Sequence, residues 1–389
     1  MRKLLKAVKV ILLCLLALLV VLVGAGLALR AYRQHVIAKA MSIDTPNGVD
    51  EAMYVKIGGI DQWIQIRGQD RNNPVLLCLH GGPGGSWLPS TPLFLPWEKE
   101  LTVAQWDQRG TGKTLETTGR SIADTMSVDR MAQDGIEVSE FLRNHLHKDK
   151  IILLGFSWGS LLGIHMAKQR PDLFYAYVGT GQISNMRKSL PMSYVYVLEK
   201  ARAANDTKAV KELESIGPPP FDTKDKIGVF FETLGKYECE SDRNLPHFAL
   251  VEPDLSLWDI YNWIRGFAQV PTFRIYNEML SADLPSLGAD FQIPIFFFQG
   301  ELDERAQASL AKKYFDEINA PHKEFVLFDG AGHFAVWSLS NRFLQELVTR
   351  VRPLATQPLQ GRYFSRWPLF VHSEKSSSTD PRIQRVAMR

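Results

Sequence analysis

Ile151-Ile152-Leu153-Leu154-Gly155-Phe156-Ser157-Trp158-Gly159-Ser160 decides the fold of this 389-residue chain. Four apolar residues run into Gly-x-Ser-x-Gly, and a helix-like segment, Leu161 to Gln169, follows. The order is strand, sharp turn, helix, with a serine at the apex. Glycines flanking the turn permit a backbone conformation in which side chains would clash. Such a turn lifts the hydroxyl above a sheet edge, within reach of a base. Ser157 is therefore a candidate nucleophile.

A nucleophilic serine needs a base, and the base needs an orienting carboxylate. Phe296-Phe-Phe-Gln-Gly300-Glu-Leu-Asp303 places an acid just beyond an apolar strand, and Phe328-Asp-Gly-Ala-Gly332-His333 places a histidine beyond the next. The chain order Ser157, Asp303, His333 is the one expected for a sheet hydrolase. Each acceptor falls at the carboxyl end of a strand, where ligands gather in open α/β sheets. Upstream, His80-Gly81-Gly82-Pro83-Gly84-Gly85 directly follows the apolar run Val75–Leu79. Acyl transfer develops negative charge on the former carbonyl oxygen, and glycines let backbone N–H groups approach it. The expected oxyanion donors are the N–H groups of Gly82 and Trp158, with His80 fixing the loop.

Around these motifs the chain alternates strand and helix. A hairpin is expected across Gly58-Gly59-Ile60-Asp61, and Ser127 is a plausible cap for a helix from Asp129 to Leu146. The alternation pauses over 182–289, an aromatic-rich region with Pro218-Pro219-Pro220, and then resumes. The expected architecture is α/β, an α/β-hydrolase fold. It has a mainly parallel central sheet, helices on both faces and a helical cap inserted between strands. The core covers 51–181 and 290–352, the cap 182–289.

The N-terminus is a separate matter. Residues 1–9 are basic, and Val10 to Leu29 carries no charge over twenty residues, enough for a helix to cross about 30 Å of hydrocarbon. Residues 10–29 therefore read as a transmembrane anchor contacting a lipid bilayer, and 30–50 as a linker. Flanking charge favours the N-terminus inside and the catalytic domain outside. The alternative is a signal peptide, cleaved to give a secreted protein. The domain beyond residue 40 is expected to fold without the anchor. Residues 353–389 read as a flexible basic tail.

Lys and Arg number 45 against 42 Asp and Glu, a net charge of +3 that gives no reason to expect nucleic acid. Cys14, Cys78 and Cys239 lack metal-ligand spacing and form no disulfide framework, and no cofactor is called for. Arg109-Gly-Thr-Gly-Lys113-Thr114 imitates the end of a phosphate-binding loop. The full motif needs glycine where Asp107 stands, and Leu115 to Asp124 lacks a helical period.

His80-Gly-Gly-Pro-Gly-Gly85, Trp106-Asp-Gln-Arg-Gly110-Thr-Gly112 and Gly155-Phe-Ser-Trp-Gly-Ser160 together resemble the proline iminopeptidase family of α/β-hydrolases, over about Met53 to Arg350. The resemblance implies removal of an N-terminal residue, often proline, from small peptides or arylamides, with cap acids binding the free amine. Typical members carry Trp-x-x-Trp-Glu in the cap. Here Trp258-Asp-Ile-Tyr261-Asn-Trp263-Ile264 puts isoleucine where that acid falls. Asp259, Glu252 and Glu278 are the substitutes in sequence. Trp258, Tyr261, Trp263 and Phe267 are expected to line an apolar substrate pocket, with Glu278 beside them. The expected partner is a small peptide or ester substrate, with nothing fixing the oligomeric state. An esterase on the same triad is the alternative, and a non-catalytic binding protein a further one.

Overall fold

Gly58 and Gly59 take φ of 54° and 80°, the left-handed geometry a two-residue hairpin turn requires. They join β1 (Val49–Ile57) to β2 (Ile60–Gly68) in the computed structural model, which describes residues 2–245, 248–265, 270 and 272–356. Six further strands follow: β3 (Val75–Leu79), β4 (Thr102–Asp107), β5 (Ile151–Phe156), β6 (Phe174–Thr180), β7 (Ile295–Gly300) and β8 (Lys323–Phe328). Their order in one sheet is β1-β2-β4-β3-β5-β6-β7-β8. β1, β2 and β4 pair antiparallel, and every pairing from β4 through β8 is parallel.

The parallel strands read as unbroken apolar runs because both faces are covered. Alternate residues point to opposite sides. Leu77, Leu79, Ile151, Leu153 and Phe297 join one core layer, whereas Leu76, Cys78, Ile152, Leu154 and Phe298 join the other. Helices supply the cover. The N-terminal helix α1 (Arg2–Met41) comes first. Then α2 (Gly112–Thr118), α3 (Val128–His145) and α4 (Trp158–Gln169) precede β6. Ser127 caps α3 by accepting the Arg130 N–H. Between β6 and β7 lies the cap: α5 (Met186–Ala203), α6 (Thr207–Ile216), α7 (Lys224–Lys236), α8 (Glu240–Arg243), α9 (Leu257–Ile264) and α10 (Arg274–Leu280). The α/β-hydrolase architecture expected from the sequence is the one observed.

Three local expectations need correction. The segment read as a linker, 30–50, begins as helix, because α1 continues through Met41. Ile37 and Met41 are buried against Phe248 of the cap. Arg30 donates to the carbonyls of Leu250 and Leu255, and Gln34 to that of Glu252. The end of α1 thus packs on the folded domain. The region after Lys113, read as lacking helical period, opens with α2. There the Asp107 carboxylate accepts the Lys113 N–H at 2.9 Å and fills the helix N-terminus a phosphate would need. The helical stretch after His333 is broken at Leu339 and ends in a π-turn, Leu347–Val351. Of the tail, residues 353–356 form the end of a short helix, Arg352–Thr356; the rest lies outside the described residues.

Upstream of the cap contact, α1 is long and apolar enough to cross a membrane. Its side chains from Val10 to Leu29 face outward, with Leu13, Val21 and Leu22 all exposed.

Candidate active site

Ser157 adopts φ 51° and ψ −118°, a conformation that L-residues rarely take outside strained functional turns. The strain is held from three sides. Its N–H donates to the Thr180 carbonyl at the end of β6, its carbonyl accepts from the Ser160 hydroxyl at 2.6 Å, and α4 begins at the next residue. The flanking glycines are obligatory for a physical reason. A Cβ on Gly159 would lie 2.1 Å from the Leu79 carbonyl oxygen, and one on Gly155 would lie 2.6 Å from that of Gly159. Only bare backbone lets β3, the turn and α4 converge here.

His333 follows β8, and its Nδ1 donates to Asp303 Oδ2 at 2.9 Å and Oδ1 at 3.1 Å. That bond leaves Nε2 as the nitrogen with a lone pair to offer. Both side chains are buried. The imidazole packs on Phe156 and Phe334, with ring centres 5.0 and 5.2 Å away. Gly181 has φ 51°, and a Cβ there would meet His333 Cε1 at 2.8 Å, so the ring occupies space a side chain would fill.

Asp303 collects three donors besides the imidazole. Oδ1 accepts from the backbone N–H groups of Arg305 and Ala306, and Oδ2 accepts from Gln299 Nε2 at 2.7 Å. Burial alone would raise its pKa. The charge and hydrogen bond of His333, aided by the two backbone donors, outweigh burial and hold the carboxyl below its ordinary range. Asp303 is thereby kept as an anion against His333.

The glycine loop and α4 are tied together by a residue the sequence reading missed. Gln108, after β4, donates its N–H to His80 Nε2 and its amide nitrogen to the His80 carbonyl, while its Oε1 accepts from the Trp158 indole. His80 Nδ1 sits 2.8 Å from the Gly81 carbonyl, and burial lowers its pKa to about 4, so it stays neutral. It cannot serve as a second base in the neutral range while its Nε2 is occupied. Gly82 takes φ 115° and faces the cavity, and Trp158 contributes the first N–H of α4, which has no partner within the helix. The positive end of α4 points the same way. Gln299 plays an equivalent tying role, accepting the Gln182 N–H while it donates to Asp303. Neither glutamine sits in a recognisable spacing, since the partners are far apart in sequence.

Ser157 and His333 open into one cavity of about 530 Å³. Trp87, Phe156, Phe248, Trp263 and Trp337 line much of it, and Glu232 of α7 is the carboxylate on its wall among the described residues. The cap residues named from sequence divide. Trp263 lines the cavity. Trp258 and Tyr261 do not: they stack on each other at 5.2 Å on the exposed face of α9. Glu278 lies elsewhere, accepting the Val128 N–H at the start of α3 and pairing with Arg274. Asp259 closes a capping box with Ser256, and Glu252 is buried, accepting the Asp254 N–H. None of these three acids faces the cavity, and Phe267 lies outside the described residues.

A family model described as alpha/beta hydrolase fold matches residues 74–215. A probable aminopeptidase, YbaC, of Bacillus subtilis strain 168 is 30% identical over 292 residues, covering 72% of this chain and 89% of its own length. The chain belongs to the α/β-hydrolase fold family. A proline iminopeptidase of Saccharolobus solfataricus is 23% identical over 337 residues, covering 80% of this α/β-hydrolase and 93% of the relative. Among solved structures, VinJ superposes with a TM-score of 0.56 at 20% identity, over 78% of this chain and 99% of that one, a likeness of fold.

Proposed function

We propose that this α/β-hydrolase is a serine hydrolase of small apolar esters and amides, working through an acyl-enzyme on Ser157. The observation that carries the reading is the strained serine turn beside a buried Asp303–His333 pair, in an apolar cavity. Ser157 Oγ attacks the substrate carbonyl while His333 Nε2 takes its proton. The N–H groups of Gly82 and Trp158 receive the oxyanion. Collapse breaks the bond to the leaving alcohol or amine, which departs with the proton from His333. Water, deprotonated by His333, then attacks the acyl carbon, releases the acid and restores Ser157. Asp303 keeps His333 in the required tautomer throughout.

A second reading, aminopeptidase action, is favoured by Glu232, a carboxylate on the wall of the cavity that holds Ser157. The names of the two relatives favour it too. Under that reading Glu232, not a residue of α9, supplies the missing amine contact. We further propose that α1 is an uncleaved anchor with the N-terminus inside and the catalytic domain on the opposite side. Its docking to the cap through Arg30, Gln34, Ile37 and Met41 supports this.

One experiment separates the readings. One portion of the protein is treated with a fluorophosphonate, and an untreated portion is assayed on proline 4-nitroanilide, its N-blocked form and 4-nitrophenyl butyrate. The expected result is a single adduct on Ser157 and faster turnover of the ester. Preference for the unblocked anilide, lost in Glu232→Gln, would establish the aminopeptidase reading. Absence of any adduct would overturn both.

A further inference from the structure

The helix α9 turns apolar side chains both inward and outward. Ile260 is buried and Trp263 lines the cavity, yet Leu257, Trp258, Tyr261 and Ile264 face outward, with Trp258 64% and Ile264 73% exposed. Spacings of four and three residues put Leu257, Tyr261 and Ile264 on one stripe with Trp258 beside it. An outward apolar patch of this kind marks a contact surface.

What covers it is indicated by α1. Arg30 directly follows the uncharged run that ends at Leu29. Its Nε donates to the Leu250 carbonyl at 3.1 Å and its terminal nitrogen to the Leu255 carbonyl at 2.6 Å. Leu250 is itself 61% exposed, and Leu257 follows Leu255 by two residues. Segment 248–264 is therefore clamped within about one helical turn of the place where the apolar stretch of α1 ends. Tryptophan and tyrosine are the side chains that settle at a membrane–water boundary. On the inner side, Leu245, Phe248, Ala249 and Trp263 form a wall of the cavity that holds Ser157.

We infer that the outer face of 248–264 lies in the bilayer interface and that the site draws its substrates from the membrane: amphipathic lipid esters. The acyl chain enters the apolar cavity through this wall, and the scissile carbonyl reaches Ser157. This inference rests on the serine-hydrolase reading and on α1 as an anchor. The chemistry is the same and balances: the acyl carbon passes from the alcohol oxygen to Ser157 and then to water, yielding alcohol and acid.

The test uses the full chain in phosphatidylcholine vesicles, with 4-nitrophenyl acetate in the water and 4-nitrophenyl palmitate in the bilayer. Trp258→Asp combined with Ile264→Asp is expected to cut palmitate turnover at least tenfold and to leave acetate turnover within twofold of the parent. Unchanged palmitate turnover, or equal loss on both esters, overturns the inference. A second readout is independent of activity. Brominated phosphatidylcholine should quench the parent more than Trp258→Phe, a difference needed because the chain has nine tryptophans. No difference overturns the membrane contact, including the case in which a protein partner or a second copy covers this face. If neither ester turns over and no fluorophosphonate adduct forms on Ser157, the hydrolase reading fails and takes the lipid-ester assignment with it. The quenching result alone then decides the membrane contact.

Discussion

Asp303 concentrates the electrostatics of the site in one carboxylate. Two backbone N–H groups, Gln299 and the His333 imidazole all donate to it. Asp303→Asn should keep the fold and lower turnover roughly ten-thousandfold, because an amide facing Nδ1 favours the wrong tautomer. Ser157→Ala should cost about four to six orders of magnitude. Single-turnover assays with an activated ester check both, and a Ser157→Ala protein keeping a tenth of its activity would remove Ser157 from the reaction. The lowered pKa of Asp303 also carries a stability term. A carboxyl depressed on folding contributes above its unfolded value, about 3.9, and that contribution disappears only as pH falls through the lower folded value. Thermal unfolding between pH 5 and 7 should therefore be blind to it. Ser157, Asp303 and His333 were legible because each follows an apolar strand with glycine nearby. Gln108 and Gln299 were not, since each acts by joining partners distant from one another, His80 with Trp158 and Gln182 with Asp303.

At the scale of elements, the serine turn depends on how closely three pieces of backbone approach. A methyl group on Gly159 meets the Leu79 carbonyl carbon at 2.6 Å as well as its oxygen, and neither can move without breaking β3 from β5. Gly159→Ala should cost about 3 kcal/mol of stability and displace the turn, measured by denaturant unfolding together with the rate of fluorophosphonate labelling. Loss of labelling with full stability would contradict this account. The cap turn held by α1 has its own signature. Glu252 is buried with Oε1 lacking a hydrogen bond among the described residues, and burial, reinforced by Asp254, raises its pKa to about 8. The folded state holds this proton more tightly than the unfolded chain, whose glutamate titrates near 4.3. Stability contributed by neutral Glu252 is thus complete below about pH 4 and declines as pH rises toward 8. Glu252→Gln should flatten that decline and be more stable than the parent at pH 8 by on the order of a few kcal/mol. Parallel melting curves at pH 5 and 8 check it, and identical slopes would place a charged Glu252 in the fold. The strand–helix alternation of the core was readable because period and glycine punctuation are local. The cap was not: α9 has the aromatic composition of a pocket wall, but which of its faces turns inward depends on α1 and the sheet. Trp263 lines the cavity whereas Trp258 and Tyr261 do not.

For the whole molecule, the decisive feature is that the N-terminal helix is two things in succession. Up to Leu29 its large apolar side chains are exposed among the described residues; from Arg30 onward it is bonded and packed onto the cap. Composition displays the first part plainly and hides the second, because Ile37 and Met41 lie in a mixed segment with Arg30, Arg33 and Lys39. Two truncations therefore should behave differently. A chain starting at residue 30 loses the apolar stretch and keeps the clamp. It should be soluble and react with fluorophosphonate at the parent rate. A chain starting at residue 42 also loses the burial of Ile37 and Met41, each 4% exposed and each worth about 1.5–3 kcal/mol. It uncovers Phe248, a residue of the cavity wall, and removes the bonds that hold the Leu250 and Leu255 carbonyls. Its melting temperature should fall by roughly 5 °C or more. Its labelling should slow as the cap turn loosens over Ser157. If both truncated forms melt and react alike, the contacts of residues 30–41 carry no stability, and the apolar helix is only a tether. If the longer truncation alone fails, the cap is held in place by the end of the same helix that we propose as the anchor. The apolar helix and the shape of the cavity are then mechanically connected through Arg30 and Gln34.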